Sequence, residues 1–306
     1  MSRDLVATLI ARAGDGETLE AAMSAVREAL GGGDVAPLTP DEASDLHFTS
    51  HTDLRELRVA AHGALGDLAA DVVVQPVEGR RKDLLIADMD STMIGQECID
   101  ELADYAGVKD RVATITERAM RGELEFESAL RERMALLAGL DTDVIGAVLG
   151  ERITINDGAR ALVWTMRANG ARTLLVSGGF TAFADRIGKA IGFDEVRANR
   201  LLEHGGRLTG EVAEPILGRL AKVAMLEDAI IRFDIDAQDT MAVGDGANDL
   251  AMIGRAGLGV AYRAKPAVAD AADARIDHTS LAALLFAQGY SREKFATEPT
   301  FYDDEE

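Results

Sequence analysis

The sequence predicts an α/β protein built on a doubly wound parallel sheet, with a helical cap insert and a small N-terminal α+β domain. Short apolar runs alternate with amphipathic stretches beyond residue 84, which is the pattern of repeated strand–helix–strand units. Polar segments rich in Asp, Ser and Gly follow several of these runs. Since parallel strands end at a common edge of their sheet, the functional site is expected at that edge.

Residues 1–80 predict a separate unit in β-α-β-α-β order. This order resembles an ACT-type α+β domain, with one strand that the pattern does not place, and such a domain would serve in regulation or oligomerisation. Whether it binds an amino acid or forms a homodimer is left open. The expected strands are 5–10, 46–49 and 71–75, and the expected helices are 17–30 and 53–68.

Residues 81–300 are predicted to form the catalytic domain. A helical cap that lacks strand signals interrupts this domain at 96–155. Glycines 107, 122 and 139 fall near the expected helix ends. The final residues, 301–306, read as an acidic, solvated tail. The expected helices are 97–106, 109–121, 126–138, 142–149 and 158–169, and the expected strands are 171–176, 195–198, 207–212, 240–243 and 257–261.

Charge and composition exclude several classes of partner. A net charge of -21 argues against binding to nucleic acid or to an anionic membrane, both of which require clustered Lys and Arg. No apolar run approaches the roughly 18 residues of a membrane helix, and no basic segment followed by an apolar one suggests a signal peptide. A single cysteine, Cys98, cannot form an internal disulfide. The expected compartment is therefore the cytoplasm.

Two carboxylates follow the first apolar run of the catalytic domain, in the segment Asp88-Met89-Asp90-Ser91-Thr92. Strand alternation points Asp88 and Asp90 the same way, so their repulsion calls for a cation, a shared proton or both. One carboxylate could act as a nucleophile while the other exchanges protons. The alternative is an ordinary strand end whose Asp and Ser side chains cap a helix.

Two further strand exits carry polar groups. The run at 171–176 leads into Ser177-Gly178-Gly179, and the run at 240–243 leads into Gly244-Asp245-Gly246. Taken alone, the first is more often a simple turn. Between them lies Lys222, the only lysine from 190 to 264, which on composition alone reads as a solvated charge on a helix.

These four elements, in this order, resemble the haloacid dehalogenase superfamily of phosphotransferases. The segments at 88–92, 177–181 and 244–250 bring the resemblance closer to the phosphoserine phosphatases. The resemblance covers roughly residues 84–290 and is much less clear before them. It implies hydrolysis of O-phosphoserine, a small-molecule substrate, as the last step of serine biosynthesis.

The resemblance also implies chemical roles for the acidic residues. Asp88 would be the nucleophile that forms an aspartyl-phosphate, and Asp90 would protonate the leaving group and then activate water. Mg²⁺ would be held by the Asp88 carboxylate, the Asp90 backbone carbonyl and the Asp245 carboxylate. Asp249 would bind the ion through water or orient the site around it.

The same resemblance assigns groups to the phosphate. Ser177 and the amides of Gly178 and Gly179 would cradle the phosphoryl group, because glycine permits close approach of the backbone. Lys222 would neutralise both the phosphate and the nucleophile, and Asn248 would be a polar contact to the substrate.

The resemblance also implies that residues of the cap bind the amino-acid end of the substrate. Glu97 would receive the ammonium and Arg133 the carboxylate, to which an arginine presents two parallel donors. Met120 and Phe126 would close over the substrate. For Glu97 and Arg133 the alternative is an ordinary surface role, since both residue types populate most exposed helices.

Three other functions stay open at this point. A receiver-type signalling domain also carries a phosphorylatable Asp and a distant Lys, but at about 120 residues it would be shorter and would lack the helical insert. A catalytically idle amino-acid sensor conflicts with the complete set of Asp88, Asp90, Lys222 and Asp245. Within enzymes, the rival is a phosphatase or phosphotransferase that acts on another small phosphomonoester.

Overall fold

The computed structural model describes residues 2–120 and 123–299, apart from the side chains of Met120 and Arg219. The predicted acidic tail and the helix break predicted at Gly122 lie outside the described residues. No helix within the described ranges has the length and apolar character needed to cross a membrane.

The N-terminal unit is a four-stranded antiparallel sheet in the order β2-β3-β1-β4, with two helices on one face. Apolar side chains of both helices and of the sheet form its own core. Strand β2 is the one that the sequence pattern did not place. It is an edge strand with no fully buried residue and contains Pro37, so it lacks apolar alternation. The elements are β1 (Arg3–Ile10), α1 (Gly16–Ala29), β2 (Asp34–Thr39), β3 (Ala43–Ser50), α2 (Leu54–Leu65) and β4 (Asp71–Pro76).

The remainder of the described chain contains eight further strands and ten helices, with short 3-10 turns at Ala237–Asp239 and Arg292–Lys294. In order they are β5 (Leu84–Ala87), α3 (Cys98–Tyr105), α4 (Lys109–Met120), α5 (Phe126–Ala135), α6 (Asp143–Glu151), α7 (Ala159–Ala168), β6 (Arg172–Phe180), α8 (Thr181–Ile191), β7 (Glu195–Asn199), β8 (Leu201–His204), β9 (Arg207–Val212), α9 (Arg219–Phe233), β10 (Thr240–Gly244), α10 (Leu250–Arg255), β11 (Leu258–Tyr262), α11 (Pro266–Ala269), β12 (Ala274–Ile276) and α12 (Ala283–Ala287).

Six of these strands form one parallel sheet in the order β12-β11-β10-β5-β6-β7. Every residue of β5, β10 and β11 is buried, which explains why these strands read as continuous apolar runs. Helices pack on both faces of the sheet. The predicted α/β class with a doubly wound parallel sheet is confirmed.

One predicted strand of the sheet is placed elsewhere. The stretch 207–212 was expected among the strands that follow the cap, but as β9 it pairs antiparallel with β8 in a separate two-stranded ribbon. Its burial alternates strictly between exposed and buried, as in a strand with one covered face. The covered face packs on the cap, where a Cβ at Gly210 would lie 2.8 Å from the Cβ of Ala138.

The helical insert between β5 and α7 contains α3, α4, α5 and α6. Gly107 and Gly139 follow α3 and α5 with φ of 67° and 83°, a left-handed conformation that glycine adopts without strain. The helices carry their apolar faces into the same core as the sheet. The insert therefore covers the edge of the sheet at which β5 has its carboxyl end.

The N-terminal unit is joined to the catalytic domain by buried polar contacts. Asp71 on β4 accepts hydrogen bonds from the backbone N–H groups of Asp277, His278 and Thr279, at 2.9, 3.2 and 2.9 Å. Arg80, in the segment between β4 and β5, donates to the carbonyl oxygen of Ala287 at 3.1 Å. These contacts fix the small sheet against the end of the large one.

Candidate active site

The carboxyl ends of β10, β5 and β6 lie side by side, and each is followed or continued by predicted site residues. Asp88 comes directly after β5, Ser177 lies in the last part of β6, and Asp245 comes directly after β10. A cavity of about 670 Å³ separates this edge from the cap. Because strand order makes these three chain segments neighbours, distant parts of the sequence meet at one point.

Lys222 lies between two carboxylates. From α9, its Nζ is 2.6 Å from Oδ2 of Asp88 and 2.7 Å from Oδ1 of Asp249. All three residues are buried. Burial disfavours the ammonium, but the charges of Asp88 and Asp249 outweigh this and raise the pKa of Lys222. The lysine is therefore a fixed positive charge next to Asp88, and not the solvated charge that a lone helical lysine usually is.

Asp90 is held in a different environment from Asp88. Its Oδ1 accepts the backbone N–H of Cys98 at 2.9 Å, and its Oδ2 accepts the hydroxyl of Ser177 at 3.2 Å. Burial, followed by the nearby charge of Glu97, raises the pKa of Asp90 to about 7. A carboxyl group with such a pKa can carry a proton and release it near neutral pH.

Three carboxylates form a compact donor set for a cation. One oxygen each from Asp88, Asp245 and Asp249 lies within 4.8 Å of the others. Burial and the charge of Asp88 raise the pKa of Asp245 to about 6. A hard divalent cation would relieve this crowding of negative charge, and an all-oxygen donor set is what such an ion prefers. That the backbone carbonyl of Asp90 is a further ligand stays a prediction.

Asp249 is oriented by the groups around it. Its Oδ1 accepts from Lys222, and its Oδ2 accepts the backbone N–H of Gly246 at 3.1 Å. Close contact with Gly244 also holds it, since a Cβ there would lie 2.4 Å from the carboxylate. The carboxylate therefore positions Lys222 and is also a member of the cation donor set.

The glycines after Ser177 are required by close approach. A Cβ on Gly179 would lie 2.8 Å from Oδ2 of Asp90, and a Cβ on Gly178 would lie 3.1 Å from Cζ of Phe126. The N–H of Gly179 donates to the Ser177 hydroxyl at 2.8 Å. Both glycines line the cavity, whereas Ser177 is buried beneath it.

The sequence predicted that strand β6 ends before Ser177, but the strand is longer. It continues to Phe180, with an irregularity in its pairing to β7 after Val176. The side chain of Asn199 on β7 donates to the carbonyl of Gly178 at 2.9 Å, which holds this last part of the strand in place. The predicted boundary was wrong because the backbone pairs with β7 again at Phe180, opposite Asn199, and this long-range pairing has no signal in the local sequence.

The predicted cap residues also reach the cavity. Glu97 precedes α3 and accepts the Ser91 hydroxyl at 2.7 Å, while partial desolvation by the surrounding protein raises its pKa. Arg133, on α5, lines the cavity with Glu97 and Phe126. Its Nε donates to the carbonyl of Ala129 at 3.3 Å, one turn earlier on the same helix. A carboxylate and a guanidinium of the cap therefore line the same cavity as Asp88 and Asp90.

Two predicted contacts remain. Asn248 lines the cavity, and its Nδ2 lies 3.4 Å from Oδ2 of Asp88. The side chain of Met120 lies outside the described residues, so its predicted contact with substrate stays a prediction.

Some site residues were not predicted from sequence. The hydroxyl of Thr92 donates to Oδ1 of Asp245 at 3.2 Å, and its place in the 88–92 segment was a usable signal. Asp100 and Lys265 line the cavity, yet nothing in their local sequence marks them. The N–H of Lys265 donates to the carbonyl of Asp245 at 3.3 Å, a contact between loops that only the fold creates.

Comparison with known proteins agrees with this geometry. Residues 85–254 match the family described as haloacid dehalogenase-like hydrolase. The chain belongs to this family. The matched region begins in β5 and ends in α10, and so includes Asp88, Ser177, Lys222 and Asp245.

Among curated relatives, the chain is 42% identical over 234 residues to the phosphoserine phosphatase of Archaeoglobus fulgidus, covering 76% of this chain and 68% of that protein. It is 41% identical over 252 residues to the phosphoserine phosphatase of Streptomyces coelicolor, covering 82% of this chain and 61% of that protein. The match thus spans less than two thirds of the second relative. The predicted relation to phosphoserine phosphatases, and the prediction of a phosphatase, are confirmed.

Solved structures show the same architecture. A haloacid dehalogenase family hydrolase from Salmonella enterica serovar Typhi superposes with a TM-score of 0.83 at 28% identity, covering 93% of this chain and 98% of that chain. A phosphoserine phosphatase in its phospho-aspartyl intermediate analogue form has a TM-score of 0.63 at 39% identity. The second match covers 67% of this chain and 98% of that chain.

Proposed function

We propose that this protein hydrolyses O-phosphoserine to serine and phosphate, with Mg²⁺ as cofactor, through an aspartyl-phosphate on Asp88. The observation that carries the proposal is the presence of Glu97 and Arg133 in the cavity that also contains Asp88. An amino-acid phosphate offers an ammonium and a carboxylate beside its phosphate, and these two side chains complement both. The relatives named phosphoserine phosphatase support the same substrate.

In the first step a carboxylate oxygen of Asp88 attacks phosphorus, and the bond from phosphorus to the serine oxygen breaks. Asp90, with its pKa raised to about 7, gives its proton to that oxygen as it leaves. Lys222, 2.6 Å from Asp88, offsets the negative charge that gathers between nucleophile and phosphate. Gly178 and Gly179 line the cavity, and with substrate bound we expect their N–H groups to donate to the phosphoryl oxygens, the Gly179 N–H leaving the Ser177 hydroxyl to do so.

In the second step water attacks the phosphorus of the aspartyl-phosphate and displaces the Asp88 carboxylate. Asp90, now ionised, accepts a proton from this water and is returned to its starting state. Its hydrogen bond from Ser177, at 3.2 Å, keeps the carboxyl group facing the reacting centre. One residue thus serves first as acid and then as base.

The carboxylates of Asp88 and Asp245, with the backbone carbonyl of Asp90, would hold Mg²⁺. Once bound, the ion offsets the combined charge of the phosphate and the carboxylates. Asp249 contributes by orienting Lys222 and by closing the donor set.

The reaction produces serine, so we place it at the last step of serine biosynthesis. The single cysteine, Cys98, is buried, which suits the reducing cytoplasm. Residues 1–80 are proposed to act in regulation or in formation of a homodimer.

A substrate comparison tests the proposal. With Mg²⁺ present, kcat/KM for O-phosphoserine should exceed that for O-phosphothreonine and for a sugar phosphate. Removing the metal with a chelator should abolish turnover, and adding Mg²⁺ should restore it. Equal rates on all three esters would assign the protein to another small phosphomonoester, and undiminished turnover after chelation would overturn the metal assignment.

A further inference from the structure

A second cavity of about 670 Å³ lies between the N-terminal unit and the catalytic domain. It shares no lining residue with the catalytic cavity. Its walls come from α2, from β4 and from the segment 269–275, which leads from α11 into β12. We call it the interdomain cavity.

Cationic and donor side chains are concentrated there, in a chain of net charge -21. Arg55, Arg58 and His62 come from α2, and Arg275 comes from β12. Arg58 already has partners, because its Nε donates to the carbonyl of Val74 at 3.0 Å and its Nη1 pairs with a carboxylate of the segment 269–275. Arg55, His62 and Arg275 are less fully paired than Arg58.

These three side chains have N–H groups that no acceptor in the described part of the chain satisfies. The guanidinium of Arg55 makes no hydrogen bond or ion pair with residues 2–120 or 123–299. Arg275 uses only its Nε, which donates to Asp277 at 2.8 Å, so its terminal amino groups are also unmatched within those residues. Burial, followed by the charge of Arg275, lowers the pKa of His62 and leaves the ring neutral. N–H donors of these three side chains therefore lie together in the interdomain cavity.

The acidic residues of the cavity do not cancel this excess. Asp273 is paired with Arg58 and accepts the backbone N–H of Gly259 at 3.0 Å, so its carboxylate is committed. Asp270 is exposed, as Arg55 is, and the lining therefore holds three arginines against two aspartates. Val59, on α2, is 68% exposed beside the cavity and adds an apolar surface to the donor-rich one.

We propose that the interdomain cavity is a binding site for a small anion that carries carboxylate or phosphate groups, held by Arg55 and Arg275. Guanidinium groups bind both anions through paired N–H donors, so the chemistry of recognition is shared. The volume accommodates an anion with a short apolar part, which would rest against Val59.

The interdomain cavity lies close in sequence to the wall of the catalytic cavity. The segment 269–275 directly follows Lys265, Ala267 and Val268, which line the catalytic cavity. The N–H of Lys265 is bonded to the carbonyl of Asp245. One short stretch of chain therefore borders both cavities.

Binding of malonate to the full-length protein, measured by titration calorimetry at low ionic strength, tests the proposal. We expect one saturable malonate site that Arg55→Gln weakens at least tenfold. Arg186→Gln, which makes the same change of charge on the exposed face of α8, should leave the affinity unchanged. Arg133→Ala should also leave it unchanged, because Arg133 lines the other cavity.

Inorganic phosphate serves as the second probe. Displacement of malonate by phosphate would show that the site accepts both anions, and a failure to displace it would restrict the site to carboxylates. A thermal unfolding curve of Arg55→Gln that matches wild type would establish that any lost binding is local. Absence of saturable malonate and phosphate binding, or loss of binding in Arg133→Ala with retention in Arg55→Gln, would overturn the proposal.

Discussion

The Nζ of Lys222 lies 2.6 Å from Oδ2 of Asp88, and both side chains are almost completely withdrawn from solvent. An exposed ion pair of this kind contributes little, but a buried one leaves an uncompensated charge when one partner is removed. Lys222 also forms an ion pair with Asp249, so one ammonium group compensates the charge of two carboxylates.

Lys222→Met should therefore reduce kcat by about a hundred- to a thousandfold, as expected when a fixed charge next to the transition state is lost. Lys294→Met, at an exposed position, is the matched control and should retain full activity. Steady-state assays with O-phosphoserine measure both. Wild-type kcat in Lys222→Met would contradict a role for this ion pair in catalysis.

Asp88→Asn and Asp90→Asn should fail at different points. Asp88→Asn replaces the nucleophilic carboxylate with a neutral amide, so beryllium fluoride, a mimic of the phosphoryl group, should no longer be trapped. Asp90→Asn keeps the nucleophile and should still trap it, although turnover is lost with the proton exchange. Trapping can be followed by fluorine NMR, and full turnover by Asp88→Asn would exclude it as the nucleophile.

The two remaining carboxylates of the cation donor set should respond differently to excess Mg²⁺. Asp245→Asn replaces an anionic ligand with a neutral one, so activity should recover in part as Mg²⁺ is raised. Asp249→Asn breaks the 2.7 Å contact with Lys222, which added metal cannot restore. Activity measured against Mg²⁺ concentration separates the two variants, and identical curves would mean that both act through the metal alone.

Ca²⁺ should inhibit wild type, because its looser coordination favours bidentate binding of Asp88.

Arg133→Ala should lose about ten- to a hundredfold in kcat/KM for O-phosphoserine, because a charge-assisted contact contributes roughly 1.5–3 kcal/mol. Glu97→Gln should show a loss of the same kind. Hydrolysis of p-nitrophenyl phosphate, which has no amino-acid end, should change far less in both variants. Equal losses on the two substrates would show that these residues support the fold and do not select the substrate.

Gly179→Ala should reduce activity strongly while the fold persists, since the added Cβ would lie 2.8 Å from Oδ2 of Asp90 and displace it. Gly254→Ala is the matched control, because nothing lies within 4 Å of a Cβ at that position of α10. There alanine should stabilise the protein by up to about 1 kcal/mol, the difference in helix propensity. Thermal unfolding and turnover are measured on both, and an active Gly179→Ala would contradict the close approach.

Much of the site could be predicted because its signals are local. The apolar run at 84–87 identifies a buried strand, and Asp88 and Asp90 follow it directly. The runs before Ser177 and Asp245 carry the same signal. Where strands are parallel and buried on both faces, these signals are strong, and the elements were found with boundaries that differ by a few residues.

The misplaced and missed elements lack such signals. Strand β9 alternates like any half-exposed strand, so its sequence does not say which sheet it joins. Strand β2, on the edge of the small sheet, has no apolar alternation at all. Asn199 holds Gly178 by a hydrogen bond across two strands, and such a partner is chosen by register rather than by its neighbours in sequence.

The sequence by itself determined the fold class and the family, and it predicted which carboxylates react, because strand periodicity and the residues at strand exits are properties of short segments. Only the tertiary structure decided that Lys222 is buried between Asp88 and Asp249 and that α2 and β12 enclose a donor-rich cavity. Those facts depend on which distant surfaces pack together. Packing sets the burial and the partners of each charge, and these in turn set its pKa and its role.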